Sequence, residues 1–167
     1  MSLCLTACQP NGDTGRYDEV EKPTTSAALE WRTYLGDTGF SHASVLAQID
    51  TTNVDDLEEV WRFDAGGGAD DGATQMQCSP IVVKGVLYCT SPLLHVFAID
   101  AATGMQLWRF EPPSNMGLLP NPNRGVVYWE LADAGGEASP REFDDRQRIL
   151  YTAGSFLYAI NARTGRL

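Results

Sequence analysis

Residues 98–108 read Ala-Ile-Asp-Ala-Ala-Thr-Gly-Met-Gln-Leu-Trp. The first part of this unit returns at residues 159–165 as Ala-Ile-Asn-Ala-Arg-Thr-Gly, with Asn161 in the place of Asp100. In both copies an apolar run ends in a polar turn that closes on a glycine, and glycine adopts the positive φ that tight connections require. Each copy therefore predicts a strand followed by a tight turn.

The residues around each copy also match. Val86-Leu87-Tyr88-Cys89-Thr90 precedes the first copy and Ile149-Leu150-Tyr151-Thr152 precedes the second, while Trp61-Arg62-Phe63 matches Trp108-Arg109-Phe110. These matches lie about 45–60 residues apart, with several β-rich segments in each interval, which is typical of β-propeller blades and not of helical repeats.

The strand chemistry favours an all-β fold. Ile81-Val82-Val83 and Val86-Leu87-Tyr88 flank Lys84-Gly85 and predict a β-hairpin. Because both runs are continuously apolar, we expect sheets that are buried on both faces, as in stacked propeller blades. Residues 44–60 are the only helix-like stretch, and we expect a turn of helix followed by extended chain there.

The composition is that of a globular protein with an acidic surface. The 167 residues are 43% hydrophobic and 20% charged, and the formal net charge is −10. A protein that binds nucleic acid or an anionic membrane surface needs a basic face, so both functions are disfavoured. No apolar run reaches the roughly 18 residues of a membrane span.

Four cysteines are present without C-x-x-C spacing, so neither a zinc site nor c-type haem attachment is indicated. Cys78 and Cys89 flank the predicted hairpin. With Lys84-Gly85 as its turn, Cys89 faces Pro80 and lies diagonal to Cys78, about 7–8 Å away. A disulfide does not tolerate that distance, and we expect no bridge between them.

Residues 1–28 are interpreted as a leader and tether ahead of a domain at 29–167. Leu5-Thr6-Ala7-Cys8 matches the bacterial lipobox, in which the cysteine is lipidated. Only residues 1–4 precede the match, so either the true signal begins further upstream or the match is chance. We favour the lipobox because a polar tether follows at once, and it predicts a periplasmic protein that is held at a membrane through Cys8.

Residues 111–148 interrupt the repeat. The acidic part of this segment, residues 132–146, lacks the spacing of a calcium loop, and we expect a solvated loop there. Long loops of this kind often carry function. The first part is predicted to be an ordered excursion because it contains four prolines, Pro112, Pro113, Pro120 and Pro122.

Residues 98–108 resemble the tryptophan-docking repeat of pyrroloquinoline quinone (PQQ)-dependent dehydrogenases, Ala-x-Asp-x-x-x-Gly-x-x-x-Trp. In that family the blades of an eight-bladed propeller end in this motif, and its Trp packs against neighbouring blades. Residues 31–37 are similar to the family's opening Trp-x-x-Tyr-Gly-Gly-Asp, with Leu35 in the place of a Gly. The similarity continues through Gln48-Ile49, Asn53-Val54, Leu57 and Trp61.

Three residues match positions that contact the quinone in this family. Asn123-Arg124-Gly125-Val126-Val127-Tyr128 resembles Asn-Arg-Gly-x-x-Tyr, whose Arg pairs with cofactor carboxylates, and a guanidinium fork suits a tricarboxylate. Thr152 stands where the family has a Thr that hydrogen-bonds the cofactor, and Gln77 stands where it has a Glu or Gln beside it. The alternatives are a surface Arg in a Pro-rich loop, an ordinary strand Thr and a plain turn residue.

The resemblance implies the N-terminal part of a PQQ- and calcium-dependent dehydrogenase that oxidises an alcohol or a sugar and passes electrons to a quinone or a cytochrome. In the family a base takes the hydroxyl proton while hydride passes to the metal-polarised quinone. The Asp base and the Glu and Asn calcium ligands come from later blades, so no catalytic or metal-binding residue is assigned. Residues 114–122 contain none of the adjacent cysteines that some members carry.

The alternative is a non-catalytic propeller lipoprotein of the outer-membrane assembly type, which shares the docking repeats and the lipobox. The opening element and the Asn-Arg-Gly loop favour the enzyme. Residues 29–167 amount to about two blades, and the second copy of the repeat stops before its Trp. Because an unclosed propeller leaves unpaired strand edges, we expect the chain alone neither to fold stably nor to oxidise substrate.

Overall fold

The computed structural model describes residues 30–67, 75–113, 123–131 and 146–167. The leader with Cys8 and the acidic residues 132–145 lie outside the described residues. The described residues form seven β-strands and one turn of 3-10 helix, Val54–Asp56, within the segment where a helical turn was predicted. None of their helices is long and apolar enough to cross a membrane. The predicted all-β fold is confirmed.

Four antiparallel strands form the first sheet in the order β1-β2-β3-β4. Lys84 and Gly85 form the two-residue turn between the first two strands, with φ of 52° and 76°, and positive φ at both positions is typical of a type I′ turn. The predicted hairpin is confirmed. Trp31 adds an isolated β-bridge to Val82 on the edge of this sheet. The strands are β1 (Ile81–Val83), β2 (Val86–Thr90), β3 (Val96–Asp100) and β4 (Gln106–Phe110).

Three antiparallel strands form the second sheet in the order β5-β6-β7. Asp100 and Asn161 end equivalent strands, but Val86 pairs with Asp100 whereas Arg148 pairs with Asn161. The two matching sequence runs are therefore offset by one residue, and the connection after β6, residues 154–155, is shorter than the connection after β2, residues 91–95. The strands are β5 (Val127–Glu130), β6 (Gln147–Ala153) and β7 (Phe156–Asn161).

The two sheets pack against each other through one continuous hydrophobic core. Trp108 of β4 is 9% exposed and lies 6.0 Å from Tyr88 between ring centroids. Tyr151 and Tyr158 of the second sheet stack at 5.3 Å and contact Phe110 of the first. Each large apolar side chain buried in this way contributes roughly 1.5–3 kcal/mol. The other buried members are Ile81, Val83, Leu94, Val96, Ala98, Val126, Ile149, Ala153, Ile160 and Ala162.

The two sheets differ on their other faces. On the first sheet, Cys89, Phe97 and Ile99 form a buried cluster that is covered by Trp61 and Phe63 from the preceding segment. The rings of Phe63 and Phe97 meet edge to face at 5.2 Å. The first sheet is therefore buried on both faces, as predicted, and the second on one. The other face of the second sheet exposes Val127, Trp129 and Leu157.

Candidate functional site

The same side-chain-capped turn follows β3 and β7. Asp100 Oδ1 accepts hydrogen bonds from the backbone N of Ala102 at 3.1 Å and of Thr103 at 2.8 Å. Asn161 Oδ1 accepts from two backbone N–H groups of its own turn, both at 3.0 Å. The turn requires only an acceptor oxygen at this position, so Asn replaces Asp without loss of the cap. Hydrogen bonds from the Thr103 hydroxyl and backbone lower the pKa of Asp100.

A tryptophan is docked on each of these turns. Trp108 Nε1 donates to the carbonyl oxygen of Ala162 at 2.9 Å, and Trp61 Nε1 donates to the equivalent oxygen of Ala101 at 3.1 Å. Tyr88 OH donates to the same Ala162 oxygen at 3.2 Å, and burial raises the pKa of Tyr88. The sequence-based expectation that Trp108 packs against a neighbouring blade is confirmed.

Glycine is required where each indole meets its turn. A Cβ at Gly165 would lie 2.9 Å from the ring of Trp108, and one at Gly104 would lie 2.6 Å from the ring of Trp61. Both glycines have a φ of 73°. The glycine of the repeated Thr-Gly sequence therefore supplies a backbone with positive φ and no Cβ, against which the indole lies.

The three residues predicted to contact the quinone lie at the end of the sheets opposite to these turns. Gln77 precedes β1, Arg124 precedes β5, and Thr152 lies near the end of β6. Ser79 N donates to the carbonyl oxygen of Arg124 at 2.9 Å, and Asn123 Nδ2 donates to the carbonyl oxygen of Thr152 at 2.8 Å. These two hydrogen bonds join the segments that carry all three residues.

Gly125 allows the Asn-Arg-Gly loop to approach the segment before β1. Its φ is 137°, and a Cβ there would lie 2.8 Å from the carbonyl oxygen of Ser79. Gly125 N also donates to Asn123 Oδ1 at 2.7 Å. The two flanking residues of the motif hold the backbone, and Arg124 between them has an exposed side chain.

The side chains of Gln77, Arg124 and Thr152 are all exposed. Within the described part of the chain, Arg124 makes no ion pair and no hydrogen bond joins the three side chains to one another. Gln77 Nε2 donates to Gln75 Oε1 at 3.0 Å. The structure joins the segments that carry the three residues and leaves their guanidinium, amide and hydroxyl groups exposed.

A tricarboxylated quinone needs a cation and several hydrogen-bond donors in one place. Arg124, Gln77 and Thr152 supply this donor set, so the residues present fit such a group. Thr90 Oγ1 and Ser91 Oγ, at the same end of the first sheet, are buried without a hydrogen-bond partner in the described residues. No cluster of three or more metal-ligating side chains occurs in residues 30–67, 75–113, 123–131 and 146–167.

An ion-pair cluster that the sequence did not reveal lies near the other end of the sheets. Glu130 of β5 pairs with Lys84 in the β1–β2 turn and with Arg32 at 3.2 Å. Arg32 also pairs with Glu30 at 2.7 Å, and Lys84 N donates to Glu30 at 3.0 Å. Burial acts to raise the pKa of Glu130, but hydrogen bonds from Lys84 and Gln147 outweigh it and the pKa is lowered. The cluster joins the opening segment to both sheets.

Comparison with known proteins gives consistent matches over most of the chain. The family model described as glucose/ethanol/alcohol dehydrogenase, beta-propeller domain, matches residues 31–167. A 1-butanol dehydrogenase (cytochrome c) from Thauera butanivorans is 35% identical over 150 residues, which are 86% of this chain and 19% of that protein. A quinoprotein glucose dehydrogenase from Escherichia coli is 33% identical over 148 residues, which are 84% of this chain and 18% of that protein.

A solved structure shares the arrangement of strands. The crystal structure of quinohemoprotein alcohol dehydrogenase from Comamonas testosteroni matches with a TM-score of 0.64 and 25% sequence identity. The match covers 83% of this chain and 18% of that chain. The present chain thus spans about a fifth of the length of the proteins that it matches.

Proposed function

This chain belongs to the family of glucose/ethanol/alcohol dehydrogenase β-propeller domains, and on that premise we propose that it is part of a PQQ-dependent oxidoreductase. The proposed substrate is an alcohol or a sugar, because the relatives include a butanol dehydrogenase and a glucose dehydrogenase. The proposed electron acceptor is a quinone or a cytochrome. A non-catalytic scaffold has no support from these relatives, which are dehydrogenases.

The placement of Arg124 carries this proposal. Its backbone oxygen accepts from Ser79, and its neighbour Asn123 is tied to Thr152 in the second sheet. Its guanidinium is exposed and has no carboxylate partner in the described residues. An arginine that presents its planar fork to a ligand carboxylate needs a fixed backbone of this kind, whereas a solvated surface arginine does not.

In the proposed enzyme this chain binds and orients the cofactor. Arg124 binds a carboxylate of PQQ, and Gln77 and Thr152 donate hydrogen bonds at its rim. When bound, the quinone supplies the two-electron acceptor for the hydride of the substrate. Calcium belongs to the proposal as the family's metal, with ligands on residues that this chain does not contain.

The proposed location is the periplasm, with Cys8 lipidated and inserted in a membrane. The support is the lipobox at residues 5–8 and the polar stretch that follows it. We expect Cys8→Ser to move the protein from the membrane fraction to the soluble periplasmic fraction. Retention in the membrane fraction after this change would contradict the anchor.

The cofactor proposal is tested by equilibrium binding of PQQ to the complete protein that contains this chain. We expect Arg124→Ala to raise the Kd for PQQ about 10–100-fold, because a hydrogen-bonded charge pair contributes roughly 1.5–3 kcal/mol. Arg124→Lys keeps the charge but loses the fork, and we expect an intermediate Kd.

The matched control is Arg62→Ala, because Arg62 is exposed and pairs with Glu59, and its neighbour Trp61 docks on the turn at the opposite end of the sheet from the candidate site. We expect this change to leave the Kd for PQQ unaltered. Unchanged binding in Arg124→Ala would remove the proposed role of Arg124. A wild-type protein that binds no PQQ would reject the proposed function itself.

A further inference from the structure

We propose that Cys78 and Cys89 form a disulfide when the protein meets a disulfide oxidant, which makes this pair a redox modification site. Both cysteines are free in the structure. The bridge would join the segment before β1, residues 75–80, to strand β2. No step of the proposed dehydrogenase reaction uses either thiol.

The Cys78 thiol lies against the backbone of β2 directly after Cys89. The expectation of a long diagonal spacing assumed that the β1–β2 ladder continues through Cys78, but the ladder begins at Ile81. Residues 75–80 precede the ladder, and Cys78 Sγ accepts a hydrogen bond from Thr90 N at 3.2 Å. Because Thr90 N is bonded to the carbonyl carbon of Cys89, Cys78 Sγ lies within about 6 Å of Cys89 Cα.

That bound allows the two sulfur atoms to meet after rotation of the side chains. The bridge itself requires the two Cα atoms to lie about 4.4–6.8 Å apart. Cys89 belongs to the buried cluster on the first sheet, and Cys78 packs against the same cluster. Burial, and then the nearby Cys78 thiol, raises the pKa of Cys89 to about 12.

The difference in burial sets the order of the chemical steps. Cys89 is 3% exposed, whereas Cys78 is half-buried, so an oxidant in solution reaches Cys78 first. The Cys78 thiolate attacks one sulfur of the oxidant's disulfide and releases the other sulfur as a thiol. The Cys89 thiolate then attacks Cys78 Sγ and releases the second thiol. Two protein thiols lose two electrons and two protons, and the oxidant's disulfide is reduced to two thiols.

The bridge would fix a segment that contacts the candidate site. Cys78 stands between Gln77 and Ser79, and Ser79 N donates to the carbonyl oxygen of Arg124. Oxidation would therefore restrain residues 77–79 against β2. Any effect of this restraint on PQQ binding rests on the proposed function. Formation of the bridge does not, because it requires no cofactor.

Peptide mapping of the complete protein after treatment with oxidised glutathione tests the proposal. Trypsin cuts after Arg62, Lys84 and Arg109, so the two cysteines fall in separate peptides, 63–84 and 85–109. We expect a linked pair of these peptides whose mass is two hydrogens below their sum. Cys78→Ser and Cys89→Ala should each abolish it.

Two further measurements separate a structural pair from chance oxidation. The linked peptides should form at least about 10-fold faster in native buffer than in guanidinium, because the fold holds the thiols together. Hydrogen exchange at residues 77–79 should slow about 10-fold after oxidation and recover on reduction. Glutathione adducts without the linked pair, or equal rates in native and denaturing buffer, would overturn the proposal. Neither measurement involves PQQ, so its failure is distinct from failure of the proposed function.

Discussion

Val96 in the first sheet and Leu157 in the second occupy equivalent positions, four residues before Asp100 and Asn161. Val96 is 0% exposed, whereas Leu157 is 71% exposed. Ala98 and Ala159 show the same contrast two residues later, with Ala98 buried and Ala159 exposed. The same kinds of side chain therefore meet the opposite sheet in one case and solvent in the other.

This contrast separates the turn geometry, which a single sheet forms by itself, from the burial of strand faces, which requires a neighbouring sheet. The turns after β3 and β7 make matching hydrogen bonds, although only the first sheet is covered on both faces. Turn geometry is thus local. Burial of the strand faces depends on packing between sheets, and the apolar side chains on the exposed face of the second sheet suit contact with another sheet.

The largest expected effect comes from removing the indole that joins the sheets. Trp108→Ala should lower the free energy of unfolding of the complete protein by about 3–5 kcal/mol, because it leaves a cavity and removes one of the two side-chain hydrogen bonds to the Ala162 oxygen. Urea denaturation measures the change. Met105→Ala, at an exposed position of the neighbouring turn, is the control and should change stability by less than about 0.5 kcal/mol. Equal losses in the two variants would contradict the role of the docked ring.

Substitution of two glycines separates two reasons for a glycine in a turn, which are contact with a docked indole and a positive φ. Gly104 and Gly85 both have positive φ, but only Gly104 lies against a ring, that of Trp61. Gly104→Ala should destabilise the protein by about 2–4 kcal/mol through strain and overpacking, and Gly85→Ala by about 1 kcal/mol through strain alone. Thermal unfolding of both variants gives the difference. Similar losses would show that the ring contact adds nothing.

The exposed face of the second sheet is tested at Leu157. If another sheet covers this face in the complete protein, Leu157→Ala should destabilise that protein by about 2–3 kcal/mol, as expected for a buried leucine. Val96→Ala, at the equivalent buried position, is the reference and should cost about 2 kcal/mol. A neutral Leu157→Ala in the complete protein would mean that the face stays open and that the apolar pattern was misread.

The smallest expected effect is a difference between the two turns in how their contribution to stability depends on pH. The folded state lowers the pKa of Asp100, so the stability contributed by its carboxylate is present above its usual pKa and is lost as the pH falls through the lowered value. Asn161 does not titrate, so only the first turn should weaken in acid. Asp100→Asn should therefore reduce the loss of stability between about pH 5 and about pH 2. An identical acid profile in the variant would contradict this assignment.

Local chemistry made much of the fold predictable from the sequence. Lys84-Gly85 specifies a type I′ hairpin, and the repeated turn with its glycine specifies where Trp108 docks. The Asn-Arg-Gly motif pointed to Arg124, and the structure places that loop against the segment of Gln77 and beside Thr152. Each of these features depends on residues that are close in sequence or on a recognisable repeat.

Features that depend on distant residues were not predictable in the same way. Arg32 and Glu130 are 98 residues apart, and no pattern along the chain marks them as partners. The approach of Cys78 to Thr90 depends on where the β1–β2 ladder begins, which alternation of apolar residues does not define. The offset between β2 and β6 accompanies connecting loops of different length, residues 91–95 after β2 and residues 154–155 after β6. Tertiary packing decides all three.

The docked tryptophans make the contact between successive sheets asymmetric, with an indole on one side and a receiving turn on the other. Trp61 and Trp108 each come from the earlier segment, and the turn that receives each indole belongs to the later sheet. One sheet can therefore receive a tryptophan from the preceding segment and dock its own tryptophan on the following sheet. Heterologous contacts of this kind can close into a ring. Duplication of one such unit in the gene adds a sheet to the series, and deletion removes one. Neither change requires a new contact surface. The angle between successive units, and not the chemistry of the junction, then determines how many complete the circle.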